Sequence, residues 1–198
     1  MTEMELREEI RRYESFNEQE REDKKEILRQ MEQADHILTR DNRNAHITVS
    51  AWIMDRDRKK VLMAYHNLYQ SWAWLGGHAD GDADLKAVAL KEIREESGLE
   101  SVRFVTEDIF SLEILTVDGH EKRGSYVPSH LHLNVTYLLE ADPELPLRIK
   151  EDENSEIGWI GVEEIERRST EKWFVERIYS KLCKKAQSLR NGKLAILE

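Results

Sequence analysis

A chain of 198 residues with 39% hydrophobic residues can bury one ordinary core, with room for an appendage. Its 35% charged residues and net charge of −10 argue against a partner built on duplex phosphates, which such a field repels. A single cysteine, Cys183, excludes an internal disulfide, no run of apolar residues approaches a bilayer span, and the first residues lack signal-peptide order, so a soluble cytoplasmic protein is expected.

The first forty residues contain neither Gly nor Pro and are dominated by Glu, Arg, Lys and Gln. Thr2 and Glu5 have capping-box spacing, with Met1 and Leu6 placed as a hydrophobic staple and Leu6, Ile10 and Tyr13 on one face. Asn17 and Glu20 open a second helix whose apolar stripe is Ile27, Leu28, Met31, Ala34, Ile37 and Leu38. Two helices packed on the rest of the chain are expected, as an extension over residues 1–40 ahead of a domain over 41–198. The stripe is too short for a sustained dimerising coiled coil, although these helices offer a homodimer interface.

From His46 the period changes to that of a strand, with Ile47, Val49 and Ala51 alternating with polar residues. A turn over Asp55 to Arg58 and a returning strand from Val61 to Tyr65 come next, then the short apolar run Trp72 to Leu75, closed by Gly76-Gly77. A Gly- and Asp-rich loop leads into a helix from about Leu85 to Ser97, stopped by Gly98. Strands are expected near Val102–Val105, Leu112–Val117 and Leu131–Leu139, and a last one at Ile157 to Ile160. Helical segments at Val162 to Arg168 and Glu171 to Leu189 complete the chain, with Asn191-Gly192 as a stop signal. Strands flanked by helices on both sides point to an α/β sandwich.

The chemistry is concentrated between Gly77 and Leu99. On a helix, Glu92, Glu95 and Glu96 stand at i, i+3 and i+4, beside an apolar face of Leu85, Ala89 and Ile93. Like charges so placed repel, and a hard divalent cation such as Mg²⁺ or Mn²⁺ removes the penalty. Helical spacing alone also suits a solvated acidic face. The preceding Gly pair and the closing Gly98-Leu99 favour a site, because glycines let backbone approach a metal or phosphate.

Gly77, five residues, Ala83, seven residues and Lys91-Glu92-Ile93-Arg94-Glu95-Glu96-Ser97-Gly98-Leu99 resemble the Nudix box, Gly-x5-Glu-x7-Arg-Glu-U-x-Glu-Glu-x-Gly-U. The resemblance covers about His46 to Arg168 and implies a Nudix-type α/β/α sandwich with a mixed sheet. It also implies hydrolysis of the pyrophosphate bond in a nucleoside diphosphate linked to another moiety. Glu92, Glu95, Glu96 and the Gly77 carbonyl would hold Mg²⁺ or Mn²⁺, which acidifies a water and neutralises phosphate charge.

Two positions depart from the box. Ala83 stands where a Glu is expected, with Asp84 read as the helix N-cap rather than a substitute ligand. Lys91 replaces an Arg and gives up its planar fork, so a looser carboxylate cluster is expected. These departures keep open a non-catalytic Nudix-like module that binds a nucleotide as a sensor. A third reading, isomerisation of an isoprenoid diphosphate, is opposed by the position of the sole cysteine. The general base is expected from Glu95 or from the acidic loop before Trp159, where Glu153 is preferred to Glu156.

His130 and His132 point to the same face of a strand, suited to substrate contact or to a transition-metal pair, although no Cys cluster or His-Glu-x-x-His helix accompanies them. His78, directly after the Gly pair, is a further substrate-binding candidate. Trp72 and Trp74 could stack on a base but are read chiefly as core, and Cys183 as a small apolar residue. The residues 114–117, beyond the box, carry neither the proline nor the tyrosine that marks two substrate subclasses.

Overall fold

A computed structural model describes residues 1–122, 124–150 and 154–190. Helix α1 (Glu3–Arg12) starts where its cap dictates: the Thr2 hydroxyl accepts from the Glu5 amide at 3.2 Å and the Glu5 carboxylate accepts from the Thr2 amide at 2.7 Å. Leu6 is fully buried while Met1 stays 54% exposed, so the cap rests on the box rather than the staple. Asn17 caps α2 (Glu18–Gln33) through its side-chain oxygen. The helix stops before the end of the predicted stripe because the chain reverses at His36, with φ 57°; Ile37 and Leu38 nonetheless remain buried.

The centre is β1 (Ala45–Met54), antiparallel to β2 (Lys60–His66) and to β4 (Leu75–His78), the latter preceded by the short β3 (Ser71–Ala73), which pairs with β2. On its other side β1 runs parallel to β9 (His130–Glu140), in register from Ala45 with Leu131 to Met54 with Glu140. The remaining strands β5 (Arg103–Phe104) and β6 (Ser111–Val117) pair antiparallel with β9, and β10 (Asn154–Gly161) with β2. The sheet is therefore mixed, as expected. The sequence carries no clear signal for an exposed hairpin, β7 (His120–Lys122) with β8 (Ser125–Val127), whose turn is marked by Gly124 at φ 77°.

The alternation in β1 suggests one solvated face, yet all ten residues are buried because helices cover both sides. Ile47, Val49, Ala51 and Ile53 pack with Leu6, Ile10, Ile27 and Met31 of the N-terminal helices and with Leu85, Ala89 and Ile93 of α3 (Leu85–Ser97). On the opposite face Trp52 and Met54 pack with Ile178, Tyr179, Leu182 and Ala186. After the short α4 (Ile165–Arg168), the C-terminal helix is not uniform. A π-helical stretch over Phe174–Tyr179, where the Ser180 hydroxyl donates to the Val175 carbonyl at 2.8 Å, precedes α5 (Ser180–Arg190). No described helix is long and apolar enough to cross a membrane. The predicted stop at Asn191-Gly192 lies outside the described residues.

A buried ionic network fastens the N-terminal helices to the body. Glu20 and Glu113 are fully buried, and Lys181 lies 3.1 Å and 2.9 Å from their carboxylates. Glu20 also accepts from the Tyr13 hydroxyl, the Phe16 amide and the Ser111 hydroxyl, and Lys185 lies 3.7 Å away. Burial pushes the Glu20 carboxyl up, but Lys181, Lys185 and these hydrogen bonds outweigh it and hold it below its usual value. Burial likewise acts to lower Lys181, and Glu113 and Glu20 overcome it and raise it.

Candidate functional site

Helix α3 begins at Asp84, whose side chain accepts from the Ala87 amide at 3.2 Å, and ends at Gly98 in the left-handed region at φ 72°. Leu85, Val88, Ala89 and Ile93 anchor one face in the core, and this fixes where the carboxylates emerge. Glu92 is half-buried, Glu95 exposed and Glu96 7% exposed.

The two glycines of β4 meet this helix directly. A Cβ on Gly77 would lie 2.5 Å from the Glu92 carboxyl carbon, so the strand comes this close only because no side chain intervenes. The Gly76 amide donates to the Glu96 carboxylate at 3.1 Å. Glu95 stands further out, with Lys91 and Lys150 each 3.8 Å from its carboxylate. The Lys91 contact is longer than a hydrogen bond, which fits the looser pairing expected from the missing guanidinium fork. Glu92 and Glu96 are thus set against the glycine-bearing strand, and their carboxylate oxygens are of the chemical kind that a hard divalent cation takes.

Ala83 is 5% exposed and belongs to the core, so it offers no ligand. Both flanking carboxylates serve the local backbone: Asp82 accepts from the Asp84 amide at 2.8 Å, and Asp84 is the cap. Glu153 lies outside the described residues. Glu156 is exposed on β10. Trp72 packs edge-on to Tyr65, and Trp74 edge-on to Trp52, Phe174 and Tyr179, which makes both part of the core. Cys183 packs against that second core, where burial pushes its thiol up to about 12.

The structure brings His78, His130 and His132 together and adds His46. Ring centroids lie 5.1 Å apart for His46 and His78, 4.9 Å for His46 and His130, and 5.1 Å for His46 and His132. Burial pushes the His132 imidazole down to about 2, and the neighbouring His78, His46 and His130 push the same way. Burial also lowers His46, more than its backbone hydrogen bond to Asn42 raises it. Local sequence reading missed His46 as a site residue because its partner His132 comes from a strand far along the chain, through a parallel register with no local signal.

A family model described as the NUDIX domain matches residues 44–182, well over half of the chain. No match was found among curated proteins. Among solved structures, an Ap4A hydrolase binary complex from C. elegans is 18% identical, with 74% of this chain and 98% of that chain covered and a TM-score of 0.51. A NUDIX family hydrolase from Clostridium perfringens is 18% identical, covering 74% and 99% with a TM-score of 0.49. The E. coli dihydroneopterin triphosphate pyrophosphohydrolase is 13% identical, covering 68% and 95% with a TM-score of 0.49. The first of these likenesses supports the fold, and the match over residues 44–182 identifies the chain as a member of the Nudix family.

Proposed function

We propose that the protein is a divalent-metal-dependent pyrophosphohydrolase acting on a nucleoside diphosphate linked to another moiety, in the cytoplasm. The observation that carries this reading is the contact of Gly77 with Glu92 beside the Gly76–Glu96 hydrogen bond, which sets two carboxylates of α3 against an open strand edge. Glu92, Glu95, Glu96 and the Gly77 carbonyl would hold Mg²⁺ or Mn²⁺. Such an ion, when bound, neutralises charge on the pyrophosphate oxygens and makes water acidic enough to attack near neutral pH.

The chain's own residues supply the rest. Glu96, held by the Gly76 amide, is the most buried of the three carboxylates. Glu95 is the base candidate on the helix, and Glu153 the candidate from the loop before β10. His78 and His130, whose ring centroids each lie 5.0 Å from that of His132, are together with it the candidate substrate contacts. Residues 1–40 serve as a structural extension of the 41–198 domain, and their exposed faces are the candidate homodimer interface.

The test is phosphate release, with coupled phosphatase, across a panel of nucleoside diphosphate derivatives with Mg²⁺, Mn²⁺ or chelator. Chelator-sensitive turnover of a compound by wild type, abolished in a folded Glu96→Gln variant, is the expected result. Undiminished turnover in that variant refutes the metal assignment. Silence across the panel with tight binding of a nucleotide identifies a sensor instead.

A further inference from the structure

Away from the carboxylate helix, the described residues hold a second concentration of ligating side chains. Strand register assembles it. His46 lies opposite His132 across the parallel β1–β9 pair, and His130, two residues earlier on β9, shares its face. His78 lies opposite Thr48, two residues along β1 from His46, and joins the same face. One ligating nitrogen from each of His46, His130 and His132 can be chosen so that all lie within 4.8 Å of one another.

Hydrogen bonding decides which nitrogens those are for His46 and His130. A carbonyl oxygen only accepts, so His46 donates from Nδ1 to Asn42 at 3.0 Å and His130 donates from Nδ1 to Pro128 at 2.9 Å. A neutral imidazole protonated at Nδ1 carries its lone pair on Nε2. His46 is 4% exposed, and its buried Nε2 has no hydrogen-bond partner among the described residues. The Nε2 of His130 is turned towards the Nε2 of His132, 3.2 Å away. A proton on one of these two nitrogens satisfies that pair, but the buried His46 Nε2 is left as an unpaired acceptor, and a cation shared by the three nitrogens would satisfy all of them at once. A backbone carbonyl on the far ring nitrogen is also the outer partner that orients metal-ligating histidines.

We propose that His46, His130 and His132 form a binding site for a divalent transition-metal cation of the zinc class, with His78 as the adjoining fourth imidazole. The donor set selects the ion: imidazole suits Zn²⁺ and its neighbours, whereas Mg²⁺ and Mn²⁺ prefer the oxygen ligands of α3. Tetrahedral coordination at a Zn–N distance of about 2.0–2.1 Å places ligand nitrogens about 3.3 Å apart, and the His130–His132 pair already has that spacing. The site joins the first residues of β9 to the first residues of β1 and reaches through His78 to the strand bearing Gly77. It does not depend on the hydrolase reading.

The test uses the full chain, stripped with chelator and dialysed, then titrated with Co²⁺ and subsequently Zn²⁺. The expected result is saturable Co²⁺ binding with the intense visible bands of a nitrogen-rich tetrahedral site, displaced by Zn²⁺ but not by Mg²⁺, and kept in Glu96→Gln. The half-buried His130→Gln variant, checked for folding by circular dichroism, should lose more than about 100-fold in Zn²⁺ affinity, since even outer-sphere losses reach that size. A second variant, His132→Gln, should behave alike. Absence of the tetrahedral spectrum overturns the proposal. So does binding that survives in His130→Gln and disappears in Glu96→Gln, because the metal would then sit on the carboxylates.

Discussion

Adjacent glycines on β4 should fail in opposite ways when given a methyl group. Gly77 does not have positive φ, so alanine is tolerated by the backbone, and the three nearest obstacles all belong to the Glu92 side chain: its carboxyl carbon 2.5 Å, Oε1 2.7 Å and Cγ 2.8 Å from the new Cβ. Carbon atoms in contact sit about 3.5–4.0 Å apart, so the carboxylate must retreat by about 1 Å or more. It is the far end of a flexible side chain, and an off-rotamer conformation costs about 0.5–1.5 kcal/mol. Loss of glycine's freedom in the unfolded chain returns about 0.4–1 kcal/mol. The net change in stability for Gly77→Ala should therefore stay within about 1 kcal/mol. A 1 Å displacement of a positioned group can cost about 10²-fold in rate, and that loss is expected in metal-dependent turnover.

Gly76→Ala meets backbone instead, 2.3 Å from the Val49 carbonyl oxygen and 2.9 Å from the Ser50 Cα. Neither atom can move without disturbing the β1–β4 ladder, so this variant should lose stability at or above the upper end of the about 1–3 kcal/mol typical of overpacking. Urea denaturation and initial rates on the substrate found in the panel separate the two. If Gly77→Ala keeps its rate within a few-fold, the position of Glu92 against the strand has no part in the chemistry.

Further expectations concern Lys91 and the buried network. Lys91→Arg should match or exceed wild-type turnover, because a bidentate guanidinium holds Glu95 better than the 3.8 Å lysine contact; a large loss in steady-state rate would show that the lysine has its own task. Glu20→Gln should cost about 3–5 kcal/mol in urea denaturation, since it takes an ion pair from Lys185 and one of two from Lys181 inside the core, and a loss below about 1 kcal/mol refutes that weighting. The folded Glu20 carboxyl titrates below its unfolded value, so its contribution is present above the ordinary carboxylate range and disappears as pH falls through the folded pKa. Stability measured below pH 5 should thus fall less steeply in Glu20→Gln than in wild type.

Local order was legible in the sequence where it depends on neighbours along the chain. Thr2 with Glu5, Asn17 with Glu20, Asp84 with Ala87 and Gly98 with Arg94 mark helix ends through contacts three or four residues apart, and the helices begin or end there. The i, i+3, i+4 carboxylates of α3 follow from helical geometry alone, and the family match agrees with the box they belong to. Asp84 is a cap for the same local reason. The alternation in β1 was legible too, but its consequence was not: burial on both faces depends on helices that arrive from opposite ends of the chain.

Tertiary structure decided everything that needs two distant segments. Glu20 reads as the N3 residue of a surface helix, yet it is a buried counter-ion because Lys181 of α5 comes to it. His46 reads as the start of a strand, and only the parallel register of β1 with β9 sets it among His130, His132 and His78. A chain's local preferences act over a turn of helix or a strand repeat, whereas pairing register and burial depend on how whole faces are covered. The carboxylate helix was therefore written in one stretch of sequence, while the histidine cluster exists only once the sheet has closed.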